Sequence, residues 1–160
     1  AHSMPFQSES ADVVTARMVF HHLNDVGLAT QEIYRILCPR GRLIVCEYVA
    51  PDQEILKFER EIFNIKEKNR QLWTARSLVE SIILHWGDCR ELSLTFSVLK
   101  QYSVLDWLNK SGLSTNLCRK IIELYLNAPQ PIIKKMQIVY TKDGDILVDR
   151  LFAYMTVEKQ

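Results

Sequence analysis

A chain of 160 residues is the length of one ordinary domain, and with 48% hydrophobic and 24% charged residues it can bury a core, which excludes a disordered or low-complexity chain. The net charge is +1, and even the most basic stretch, residues 101–160, carries 8 basic against 6 acidic residues, so there is no footprint for a nucleic-acid backbone. No apolar run approaches the ~20 residues that span a bilayer, and no signal peptide is visible, so no membrane partner is expected. Cys38, Cys46, Cys89 and Cys118 form no CxxC pair and stand at no metal-ligand spacing from histidine. Reduced thiols, a cytoplasmic location and no metal site are the expectation.

Taken in chain order, Ala11–Arg17 (ADVVTAR) is a β-branched run, apolar on both faces, that suits a buried parallel strand. Asn24-Asp25 offers a helix cap, and Leu28, Ile33 and Leu37 share one face of a helix reaching Cys38. Pro39 and Gly41 stop it, and Arg42–Val49 (RLIVCEYV) is a second buried strand. Strand, helix, strand at this spacing is a right-handed βαβ unit, whose ligand crevice lies at the carboxyl ends of its strands. Asp52 caps a long amphipathic helix reaching about Leu72, with Glu59 and Arg60 among the charges of its solvated face. Thr74 caps a helix over Ala75–Trp86, and Leu92, Leu94, Phe96 and Val98 alternate as in a strand with one wet face. Ser103 starts a short helix over Val104–Lys110, and Leu117–Leu126 is another, broken before Pro129 and Pro131. Lys142-Asp143-Gly144-Asp145 is a hairpin turn between Met136–Thr141 and Ile146–Val157.

The MPF turn at Met4-Pro5-Phe6, the apolar strand, the HHL corner at His21-His22-Leu23 and the PRG turn at Pro39-Arg40-Gly41 together resemble class I S-adenosylmethionine-dependent methyltransferases. The resemblance implies an α/β fold: a partial Rossmann-like sheet, parallel βαβ plus antiparallel C-terminal strands, with residues 103–128 as a helical insertion in a single domain. Arg40 stands where the family usually has the first glycine of Pro-Gly-Gly. By position, the resemblance puts Ala1, His2 and Ser3 beside the adenine of S-adenosylmethionine. Ala16 and Arg17 fall near its methionine part and Met18 near the adenine, with His22 at the corner. His21, Glu47 and Tyr48 would face the substrate, expected to be a small molecule.

Plainer readings stand beside these. His22 reads first as a structural histidine bonding its loop, and His21 as the more exposed of the pair. Arg17 either meets the cofactor carboxylate or pairs with an acid such as Glu47. His85 and Trp86 read as packing, and Tyr102, Trp107 and Tyr125 as either packing or a substrate cover. No catalytic residue is readable, because displacement at an activated sulfonium asks mainly for positioning.

The five glycines are scattered and form no GxGxxG loop, so the family's glycine-rich cofactor loop is not within these residues. Without the strand that the family sets beside it, Ala11–Arg17 is an apolar edge, expected to pair either with a second copy in a homodimer or with the N-terminal half of the enzyme. Two alternatives remain: a catalytically inactive methyltransferase-like module for dimerisation or partner binding, and a fragment of a dinucleotide-binding oxidoreductase.

Overall fold

The computed structural model describes residues 3–160. Strand β1 (Ala11–Arg17) runs parallel to β2 (Leu37–Tyr48), and the helix α1 (Val26–Ile36) crosses between them. The helices α2 (Gln53–Lys66) and α3 (Ala75–Ile83) follow, then the long strand β3 (Cys89–Ser103). Helices α4 (Val104–Asn109), α5 (Thr115–Leu126) and α6 (Gln130–Lys135) separate β3 from the hairpin of β4 (Val139–Tyr140) and β5 (Ile146–Lys159). The sheet order is β1-β2-β5-β3, with β4 also paired to β5. β5 is antiparallel to both its neighbours.

Local chemistry explains most of the boundaries. The Asp25 carboxylate accepts from the Leu28 N–H, Asp52 accepts from Glu54 and Ile55, and Thr74 shares a capping box with Ser77. Helix α1 ends at Ile36 rather than Cys38, because Leu37 is already extended and pairs with Ala11. Cys38 precedes a proline, which disfavours helical backbone. Arg40 sits at φ +65°, the left-handed region that costs a residue with a Cβ roughly 1–2 kcal/mol, which accounts for glycine as the usual choice there. At Gly41 a Cβ would stand 2.8 Å from the Cys38 carbonyl oxygen, so the close turn tolerates no side chain. Helix α2 stops at Lys66, short of Leu72, and the chain turns so that the Gln71 N–H donates to the His21 carbonyl. Helix α3 likewise ends at Ile83, before Trp86. Helix α6 was not expected: Pro131 at its second position lacks only an N–H that the first turn leaves unpaired anyway. It takes up Met136 as its cap and shortens β4.

Two cores result. Helices α1 and α3 cover one sheet face, burying Ile33, Leu78, Ile82 and Trp86 against Leu43, Val45, Met155 and Val157. Helices α2, α4, α5 and α6 form the second core around Ile55, Ile62, Leu108 and Ile121, with Ile146 and Val148 from the start of β5. Each such side chain, fully buried, contributes about 1.5–3 kcal/mol. On the opposite sheet face Val13, Ile44, Leu99 and Tyr154 are exposed. β1 is therefore not the buried strand its composition suggests: it lies at the sheet edge, with Val13 52% exposed and Ala16 its one buried residue.

The segment before β1 is tied to α1 by one ion pair. Arg35 Nε lies 2.8 Å from Glu32 Oε1, and the same guanidinium donates to the Phe6 carbonyl. Glu32 also accepts from the Met4 N–H at 2.9 Å. The Arg35 hydrogen bond, helped by that amide, lowers the Glu32 carboxyl from 4.5 to about 2. A lowered folded value stabilises the attachment above pH 4.5 and loses it as pH falls through about 2. Hydrogen exchange at the Met4 and Phe6 amides is expected to stay slow at pH 4 and to rise towards pH 2, with Glu32→Gln exchanging several-fold faster already at neutral pH. Equal exchange in variant and parent would show that the pair does not hold the segment.

Candidate active site

A pocket of about 160 Å3 opens at the carboxyl ends of the two parallel strands, where ligand crevices of such sheets lie. Met18 reaches it directly after β1. Its φ is +52° and its N–H donates to the Cys46 carbonyl at 2.8 Å, which turns the chain off the sheet. Tyr48 reaches it as the last residue of β2, Arg70 from the turn after α2, and Trp107 from α4. The wall from β5 is Arg150 and Phe152.

Arg150 is buried among aromatic rings, with its guanidinium carbon 5.0 Å from the Tyr48 centroid, 4.9 Å from Tyr102 and 5.2 Å from Trp107. Such contacts offset part of the cost of taking the charge out of water. Nη1 lies 3.4 Å from Glu59 Oε1 and Nη2 3.5 Å from the Tyr125 hydroxyl, both long, and Nε has no partner among the described residues. Burial pushes the Glu59 carboxyl up against the opposing pull of Arg150. Burial also raises the Tyr48 hydroxyl well above its ordinary value and Tyr125 to about 12, so both remain neutral hydroxyls.

Beside the pocket, Phe20–His22 forms a 3-10 turn. The Glu47 carboxylate, 0% exposed, holds it: Oε1 accepts from the Phe20 N–H at 2.8 Å, and Oε2 lies 2.9 Å from His21 Nδ1. His21 is buried with it, whereas the His22 side chain is 57% exposed, the reverse of the sequence expectation. His22 Nδ1 stands 2.7 Å from Glu67 Oε1, and Glu67 Oε2 accepts from Arg70 Nη1 at 3.0 Å. Burial is the largest single influence on Glu67 and works to raise it, but the Arg70 hydrogen bond and the surrounding positive charge together outweigh it, and the carboxyl is held below its ordinary value. An ionised Glu67 only accepts, so Nδ1 is the donor on this exposed side chain.

The other expected positions are dispersed. Ala1 and His2 lie outside the described residues, and Ser3 is exposed near the tethered segment. Ala16 is buried in the sheet. Arg17 does not pair with Glu47, because the two side chains leave opposite sheet faces; it lines a second hollow of about 220 Å3 with Cys46, Ser97 and Tyr154. Tyr48 does line the candidate pocket, and Glu47 points into the core instead. Sequence reading missed Arg70, Arg150 and Glu59. Glu59 is not on the solvated face of α2 but buried, and the signal was its spacing, four after Ile55 and three before Ile62. For Arg150 the signal was the alternation Ile146, Val148, Arg150 along the buried register of β5. Of the aromatic residues left open, Tyr102 and Trp107 line the pocket and Tyr125 is core.

A parallel β1–β2 edge continued by antiparallel β5 and β3, with a pocket at the parallel carboxyl ends, defines a Rossmann-like methyltransferase sheet. Comparison with known proteins agrees. Residues 1–45 match the family described as "Methyltransferase domain". The uncharacterised methyltransferase YcgJ of Bacillus subtilis is 27% identical over 76% of this chain and 48% of its own length. The uncharacterised protein YafE of Escherichia coli is 44% identical over 34% of this chain and 27% of its own. The chain thus spans about half or less of the length of these curated relatives. Among solved structures, a candidate methyltransferase from Bacillus halodurans superposes with a TM-score of 0.84 at 19% identity, covering 99% of this chain and 74% of that one. The YcgJ structure gives 0.81 at 16% identity, over 99% and 68%. The family match covers residues 1–45, and over nearly its whole length the chain shares the fold of these methyltransferases. Among the described residues no helix is long and apolar enough to cross a membrane.

Proposed function

We propose that this chain supplies the acceptor side of a methyltransferase that transfers a methyl group from S-adenosylmethionine to a small molecule. The observation that carries it is the place of the Met18–Tyr48 pocket at the carboxyl ends of β1 and β2, within and just beyond the matched residues. The residues present fit the outer rim of a cofactor site: the backbone leaves the sheet at Met18, and the Arg17 guanidinium stands exposed beside it for a carboxylate. The bound cofactor supplies a methyl group on a sulfonium that is already activated. What these residues add is position. Met18 and Tyr48 wall the acceptor, Glu47 fixes the corner, and His22, oriented through Nδ1 by Glu67, offers Nε2 to take the proton an acceptor loses.

The same reading gives the exposed β1 edge a neighbour, either further strands of a methyltransferase sheet or a second copy of the chain. Titration of the purified chain with S-adenosylhomocysteine, with sedimentation of the same sample, tests both. Micromolar binding by a species larger than one chain is the expected result. A folded monomer that binds nothing would overturn this reading in favour of a catalytically inactive, partner-binding module.

A further inference from the structure

Two guanidinium groups in the pocket are underused. Arg70 and Arg150 both line it, and both are at least nine-tenths buried as side chains. Each guanidinium carries five N–H donors in a rigid fork. Arg70 spends one on Glu67 at 3.0 Å. The hydrogen bonds of Arg150 among the described residues are two long ones, at 3.4 Å and 3.5 Å. Nε of both residues is buried without a partner among the described residues. Buried donors are ordinarily paired, and two such orphans bordering one pocket call for an acceptor from outside.

The rest of the wall is apolar or aromatic: Met18, Tyr48, Phe63, Tyr102, Trp107 and Phe152. It offers no carboxylate to the incoming group, because Glu67 is engaged by His22 and Arg70, and Glu59 stands behind Arg150, outside the lining. The volume, about 160 Å3, is close to the roughly 150 Å3 that accommodates one benzene ring. Planar forks above an apolar slot match an oxyanion on a compact apolar body.

We propose that this pocket recognises its methyl acceptor through an oxyanion, a carboxylate or a phosphate, gripped by Arg70 and Arg150, with the apolar body of the acceptor against the aromatic wall. That the ligand is the methyl acceptor rests on the methyl-transfer reading above; the oxyanion recognition does not.

Titration calorimetry of the full chain without cofactor, combined with the Trp107 indole NMR signal, tests the proposal. The probes are benzoate, phenyl phosphate, benzyl alcohol and benzylamine, which share one ring and differ in charge. At least one oxyanion is expected to shift the Trp107 signal and to bind about tenfold tighter than the alcohol, with the amine weakest. The order of benzoate and phenyl phosphate separates a carboxylate acceptor from a phosphate one. Arg70→Gln, which leaves Glu67 its His22 partner, is expected to weaken the oxyanion about tenfold and leave the alcohol unchanged. Arg150→Lys, which keeps the charge but removes the fork, gives a second reading in the same direction.

Equal affinity for alcohol and oxyanions, full oxyanion affinity in folded Arg70→Gln, or no binding of any probe would each overturn the proposal. Its failure is separable from that of the methyl-transfer reading. Binding of S-adenosylhomocysteine without any oxyanion overturns this inference alone. Oxyanion binding without S-adenosylhomocysteine leaves the pocket standing and removes the acceptor role.

Discussion

Arg150→Ala is expected to destabilise the chain by about 3–5 kcal/mol, read as a lowered urea midpoint at unchanged slope. Among the described residues the change removes the one charge within ion-pair distance of Glu59, which is 1% exposed and whose Oε2 has no partner there. It also leaves the rings of Tyr48, Tyr102 and Trp107 around an empty space. The loss should depend on pH with a definite sign. Burial raises the folded value of Glu59 above 4.5 even with Arg150 opposing it. Below the unfolded value the carboxyl is neutral in both states and the variant is penalised mainly for the cavity. As pH rises from about 4.5, the unfolded chain ionises Glu59 freely while the fold resists, so stability falls and the gap to the parent widens. The paired change Glu59→Met with Arg150→Met should recover most of the loss, because a buried ion pair is replaceable by apolar volume, whereas either half alone is not. A single variant within ~1 kcal/mol of the parent would show that water or another group already compensates Glu59.

How far the amino-acid sequence reached follows from what each part of it encodes. The β1–α1–β2 unit was legible because its signals are local: β-branched runs, the Asp25 cap, and the proline and glycine after the helix. The antiparallel return of β5 was legible from the Asp143-Gly144 turn, where Gly144 takes φ +82°. Helix α6 was hidden because proline reads as a breaker, although in the first turn it costs nothing. The site was less legible than the fold. Arg150 meets Glu59 across 91 residues of chain, and no local pattern reports such a meeting. The two histidines differ by one position, and which of them turns inward depends on where the Glu47 carboxylate lies, a product of sheet register rather than of the HHL triplet. The exposure of β1 and of Val13 belongs to the same class: composition says apolar, and only topology says edge.

Glu47→Ala is expected to cost about 3–5 kcal/mol, on two separate grounds. First, the Phe20 N–H and His21 Nδ1 both lose their partner inside the protein, and a buried group so orphaned costs about 1–3 kcal/mol. Second, the side chain is 0% exposed, so its removal leaves a cavity beneath the Phe20–His22 corner. Glu47→Gln retains the volume and an oxygen for the Phe20 N–H, and should cost clearly less, about 1–2 kcal/mol. A cycle with His21→Ala isolates the pair: if the two side chains are coupled, the double variant loses less than the two single losses together. The consequence should also travel to the pocket. His21 is held to the turn after α2 through the Gln71 N–H, and that turn carries Arg70. Loosening the corner therefore weakens the hold of His22 on Glu67, the carboxylate that also accepts from Arg70. In folded Glu47→Gln, faster hydrogen exchange at the Phe20 and Gln71 amides together is the expected signature, because one carboxylate anchors both. Faster exchange at Phe20 with Gln71 unchanged would show that the corner and the pocket wall are held independently, and would confine Glu47 to a role in the core.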